Sequence, residues 1–120
     1  VEADLAIADQ SPEGFDALVL PGGVINPDNL RVDDNAVALI KAFADAGKPI
    51  AAICHAPWLL VEAGLVSGRR MTSFASIRSD IRNAGAEVVD QAVVEDRGVI
   101  TSRNPDDLDD FVAAIEKAVA

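Results

Sequence analysis

The sequence predicts an α/β layered fold built on a largely parallel sheet. Three observations carry that prediction: short apolar runs closed abruptly by turn residues, segments with helical apolar spacing, and the alternation of the two along the chain. In such sheets functional sites gather at the carboxyl ends of the strands. Two strands here end in unusual residues, Pro21-Gly22-Gly23 and Cys54-His55.

Taken in order, an alternating segment over residues 1–8 meets a turn at Gln10-Ser11-Pro12-Glu13-Gly14. Phe15-Asp16-Ala17-Leu18-Val19-Leu20 follows, a compact run expected as a strand buried on both faces. Asp33 or Asp34 can cap a helix whose Ala36, Val37, Ile40, Phe43 and Ala44 share one apolar face, ended by Gly47 and Pro49. A second buried strand over residues 50–53 leads through Cys54-His55-Ala56-Pro57 into a helix stopped by Gly64, with Pro57 in the first turn, where its missing N–H costs nothing. Ser76 can cap a helix over Ile77, Ile81 and Ala84. Val88-Val89, Val93-Val94 and Val99-Ile100-Thr101 read as short strands, the last two joined by a turn at Glu95-Asp96-Arg97-Gly98. Asn104-Pro105-Asp106-Asp107 opens a final helix with a cap, a proline and acids at its positive end.

The 120 residues suit one domain, 1–120, large enough to bury about two-thirds of its unfolded surface. No apolar run approaches the roughly 18 residues of a membrane span, so a soluble globular chain is expected, with no membrane partner. Twenty acidic against ten basic residues give a net charge of −10, which repels phosphate backbones and speaks against nucleic-acid binding. Solubility is the plainer reading of that charge, and a salt-loving source is compatible with it. A single cysteine excludes an internal disulfide and a cysteine-built zinc cage, and fits a reducing, cytoplasmic setting. The opening Val1-Glu2-Ala3-Asp4, without Met or a signal-like segment, is expected to lie inside a longer protein.

Cys54 and His55 are the only residues of their kinds, and they are adjacent. A strand-to-helix turn exposes a side chain, and a helix N-terminus favours thiolate, so Cys54 is a candidate nucleophile. His55 can supply a backbone N–H to a developing oxyanion and an imidazole to carry protons. Gly22-Gly23 allows close backbone approach, and an N–H from Gly23 can complete the oxyanion hole. Plainer alternatives stand beside these: a small buried cysteine, and an ordinary Pro-Gly-Gly turn. Trp58, Met71 and the phenylalanines read as core, and Arg69, Arg70, Arg78 and Arg82 as solvated or interface charges.

Ala17-Leu18-Val19-Leu20-Pro21-Gly22-Gly23, Gly47-Lys48-Pro49, the block from Ala52 through Cys54-His55-Ala56-Pro57 to Leu60, Asn83-Ala84-Gly85-Ala86 and Thr101-Ser102-Arg103-Asn104-Pro105 to Leu108 together resemble the PfpI-type intracellular protease and protein deglycase family. The blocks occur in family order and span the chain. The resemblance implies a flavodoxin-like three-layer α/β sandwich of the class I glutamine amidotransferase-like superfamily, with a cofactor-free nucleophile elbow at Cys54. It further implies that His55 is joined by an acid from a neighbouring subunit, here Asp28, and hence a homo-oligomer, dimer or hexamer. The family's N-terminal strands, with a glutamate beside the nucleophile, have no counterpart here. Their loss is expected to leave apolar edges on the strands at residues 16–20 and 50–53 unless a partner covers them.

The activity implied is hydrolysis of methylglyoxal or glyoxal, or of their protein adducts, so the expected partners are a small carbonyl or a glycated protein. Peptide hydrolysis by the same residues is the first alternative. A non-enzymatic stress protein, oxidised at Cys54 or acting as a holdase, is the second. Amidotransferase chemistry is disfavoured because no histidine follows His55.

Overall fold

The computed structural model describes residues 2–120; Val1, the first residue of the alternating N-terminal segment, lies outside them. That segment forms no strand among the described residues, only a single 3-10 turn at Ile7–Asp9. The main sheet has four strands: β1 (Leu18–Leu20), β2 (Ile50–Ile53), β5 (Val93–Asp96) and β6 (Val99–Ser102), in the order β1-β2-β6-β5. The first three in that order are parallel, and β5 closes the end as an antiparallel hairpin partner of β6. Two-residue strands β3 (Arg70–Met71) and β4 (Glu87–Val88) form a separate parallel pair.

Strand register divides the side chains into two faces. Leu18, Ile50 and Val99 stand in one row and Leu20, Ala52 and Thr101 in another on the same side. This side packs under α2 (Asp34–Asp45), α3 (Pro57–Glu62) and α4 (Arg78–Asn83), where Ile40, Phe43, Leu59, Leu60, Met71 and Ile81 complete the larger core. The opposite side carries Ala51, Ile53 and Ile100 against Phe111 of α5 (Leu108–Val119). Helices on both faces of a mostly parallel sheet give the three layers expected.

Two details revise the sequence reading. Strand β2 is not an edge: it pairs with β1 on one side and β6 on the other, and all four of its residues are buried. Among the described residues only β1 presents a free edge in the parallel part of the sheet, and Val19 there is 46% exposed. The second detail is a helix, α1 (Ile25–Leu30), in a stretch to which the sequence assigns no element; Pro27 is its buried anchor and Asp28 lies in its first turn.

Asp33 caps α2 as the sequence indicates, its carboxylate accepting from the N–H groups of Asn35 and Ala36. Asn104 likewise accepts from the N–H of Asp106, opening a 3-10 turn at Pro105–Asp107 that runs into α5. Just before it, Arg103 forks onto both oxygens of Asp107 at 2.9 Å and also reaches Asp90, which Arg78 shares. Arg78 is thus a surface charge paired with an exposed carboxylate. The fork holds the Asp107 carboxyl below the usual carboxylate range.

Candidate active site

The carboxyl ends of β1, β2 and β6 lie side by side, and each releases its chain into a turn. The turn after β2 is a nucleophile elbow in its backbone geometry. Cys54 has φ +68°, a left-handed conformation that a residue with a Cβ adopts at a cost of roughly 1–2 kcal/mol. The elbow is tied on both sides: Cys54 N–H donates to the carbonyl of Ser102 at 3.0 Å, and its own carbonyl accepts from Phe74 N–H at 2.8 Å. Its side chain is half-buried. It lies in an open cleft of about 240 Å³ lined by Pro21, Gly22, Gly23, Ile53, Pro105 and Leu108, so all three strand ends contribute.

The glycines of the first turn divide their work. A Cβ on Gly22 would sit 2.8 Å from Cys54 Cβ and 3.0 Å from the Ile53 carbonyl oxygen, so only glycine lets this turn pass so near the elbow. Gly23 instead supplies a φ of +83°, with open space around it. The backbone N–H groups of Gly23 and His55 make no hydrogen bond among the described residues. Both are free to receive an oxygen.

His55 is only 7% exposed. Its Nδ1 lies 3.2 Å from Cys54 Sγ, so the two adjacent side chains meet. Nε2 lies 3.3 Å from the hydroxyl of Ser76. The ring is held between Phe74, stacked with centroids 4.8 Å apart, and Trp58, edge-on at 5.1 Å. Burial among these rings lowers the imidazole pKa from its ordinary 6.5, favouring the neutral base.

Of the residues singled out from sequence, Cys54, His55 and the Gly22-Gly23 turn come together. Asp28 does not join them within the chain. It is exposed on α1, and its side chain makes no hydrogen bond among the described residues. Three neighbours of the imidazole escaped the sequence reading. Trp58 reads as core from the sequence, although its position three residues after His55 at a helix start puts both on one side; it is half-buried, and its indole N–H donates to Asp80 at 3.1 Å. Phe74 gave no signal of its own. Ser76, expected as a cap, caps nothing: the helical segment there starts as a 3-10 turn, Ala75–Ile77, and neither it nor α4 has a side-chain cap. No cluster of three or more His, Cys, Asp or Glu side chains suited to a metal occurs among the described residues.

A mostly parallel sheet between two helical layers, with a strained cysteine and its histidine at a strand end, places the protein in the doubly wound α/β class. The chain matches the DJ-1/PfpI family over residues 1–118, and it belongs to that family. It is 48% identical over 108 residues to Deglycase TK1284 of Thermococcus kodakarensis, covering 90% of this chain and 64% of that protein. It is 46% identical over 111 residues to Bacillus subtilis YraA, named as a candidate cysteine protease, covering 92% of this chain and 65% of that one. Among solved structures, Drosophila melanogaster DJ-1beta superposes with a TM-score of 0.90 at 31% identity, over 99% of this chain and 64% of that one. The fold is therefore the flavodoxin-like one. The chain spans about two-thirds of the length of these relatives.

Proposed function

We propose that the protein is a cysteine hydrolase acting on small reactive dicarbonyls, or on the adducts they leave on proteins. The observation that carries this reading is the strained Cys54 with its sulfur 3.2 Å from His55 Nδ1. In methylglyoxal, the thiol adds to the aldehyde carbon while His55 passes the thiol proton to the aldehyde oxygen, giving a hemithioacetal. His55 then takes the remaining hydrogen of that carbon as a proton and returns one to the neighbouring carbon, while the hydroxyl proton of the first carbon passes to the former ketone oxygen. The product is a lactoyl thioester. Water cleaves it to lactate and regenerates the thiol, so the net change is addition of one water.

The free N–H groups of Gly23 and His55 suit the oxyanions formed on addition and on thioester hydrolysis. A cleft walled by proline, glycine, isoleucine and leucine, with no charged side chain, suits a small uncharged carbonyl. The relative named as a deglycase points the same way. Asp28, exposed and unengaged, is available to a neighbouring subunit's His55, so activity is expected to require self-association as a dimer or larger assembly. Peptide hydrolysis is the second reading, favoured by the likeness to YraA.

The test is methylglyoxal consumption with lactate detection on the full-length protein, beside Cys54→Ala and His55→Ala. Lactate formed by the parent and lost in both variants is expected. A parent that makes no lactate but cleaves a fluorogenic peptide in a Cys54-dependent way would move the assignment to the peptidase.

A further inference from the structure

We infer that Ser76 is the positioning residue of the Cys54–His55 pair: its hydroxyl accepts Nε2–H and leaves Nδ1 bare toward the sulfur. The inference rests on the reading of Cys54 as nucleophile and His55 as its base. A neutral imidazole has one donor and one acceptor nitrogen, and which is which follows from the partners each nitrogen finds. The sulfur at Nδ1 must give up a proton to become reactive, so Nδ1 has to be the acceptor. Nε2 then carries the hydrogen, and the oxygen placed to receive it is Ser76 Oγ at 3.3 Å.

The placement of Ser76 is fixed by the elbow itself and not by a helix cap. Two residues earlier, Phe74 donates its N–H to the Cys54 carbonyl and stacks its ring on His55. Two residues before that, Thr72 N–H donates to Thr101 Oγ1 on β6 at 2.9 Å. The segment is thus pinned to the sheet, to the elbow and to the imidazole in succession.

The charged groups near this ring are engaged elsewhere. Asp80 of α4 accepts from the Trp58 indole, while Arg31 lies over the outer face of Trp58, 5.4 Å from its centroid, and pairs with Glu62 of α3 at 2.7 Å. Among the described residues Cys54 is the titratable group that hydrogen-bonds His55. Within a single chain it is this neutral hydroxyl that orients the ring at Nε2, before a neighbouring subunit's Asp28 adds its carboxylate to the same N–H.

The test reads the Cys54 peptide by mass spectrometry after timed iodoacetamide alkylation of the full-length protein, between roughly pH 5 and 9. Parent, Ser76→Ala and Ser76→Thr are compared, with lactate formation followed in parallel. Ser76→Ala is expected to slow alkylation near neutral pH about 3- to 10-fold, the worth of one hydrogen bond, and to move the profile to higher pH. Ser76→Thr, which keeps the hydroxyl, is expected to restore the parent profile. Superimposable profiles for parent and Ser76→Ala overturn the inference, as does an equal shift in both variants. A parent whose profile depends on Ser76 but which makes no lactate removes the carbonyl reading and leaves the positioning role. Lactate formation with a kcat and an alkylation profile indifferent to Ser76→Ala removes the positioning role alone.

Discussion

The turns that end β1 and β2 are neighbours in the sheet and meet one backbone requirement in two ways. Each contains a residue at positive φ, Gly23 at +83° and Cys54 at +68°. Glycine enters that region freely, whereas a residue with a Cβ pays roughly 1–2 kcal/mol. A second positive-φ residue without that freedom, Arg97 at +50°, lies with Gly98 in the two-residue connection between β5 and β6, where the hairpin twist calls for such angles at both positions. No hairpin explains Cys54. The strain there is kept where glycine would relieve it, and the thiol it presents is the one next to His55.

If the second turn is the reactive one, the largest effect falls on its proton carrier. His55→Ala is expected to lower kcat for lactate formation by about 10²- to 10⁴-fold, measured at saturating methylglyoxal. The first turn serves by letting the second come close. Gly22→Ala places a Cβ against Cys54 Cβ and the Ile53 carbonyl, neither of which is a flexible tip, so urea unfolding is expected to show a loss of about 1–3 kcal/mol. Gly23→Ala meets no atom within 4 Å and should cost only the backbone strain, about 1–2 kcal/mol in the same measurement. Equal losses at the two glycines would break the distinction between close approach and positive φ.

The smallest effect concerns pH, and it belongs to the second turn alone. His55 has its pKa lowered by burial, so the unfolded chain takes up a proton before the folded one does. Stability from this residue is complete above the unfolded value of 6.5 and is lost as pH falls from there toward the lowered folded value. The melting temperature of the parent should therefore drop more steeply than that of His55→Gln on acidification through this window. Parallel curves would show that burial does not control the imidazole.

Two hydroxyl- or carboxyl-bearing residues show how far the sequence reaches. Asp33 and Ser76 both precede apolar helical spacing and both read as caps; Asp33 is one, and Ser76 is not. A cap is a local bond, decided within three residues, so the pattern around Asp33 contains it. The partner of Ser76 lies 21 residues away, and nothing in its neighbourhood marks the choice. The same division holds for the sheet. The uninterrupted apolar run at Ile50–Ile53 announces a buried strand, but its interior place between β1 and β6 is a matter of register that no local spacing encodes. The pairing of Cys54 with His55 was legible because the two are adjacent and unique. The rings that hold the imidazole were not, since Phe74 and Trp58 look like any other core aromatics until the chain is folded.

The most direct test of the claim that Cys54 is held under strain for its thiol compares Cys54→Gly with Cys54→Ala in urea unfolding, with lactate formation assayed on both. Glycine is ordinarily the less stable substitution by roughly 0.5–1 kcal/mol. At this position the Gly variant should instead be more stable than the Ala variant by about 1 kcal/mol, and neither should form lactate. An Ala variant as stable as the Gly variant, or lactate persisting in either, would contradict the account.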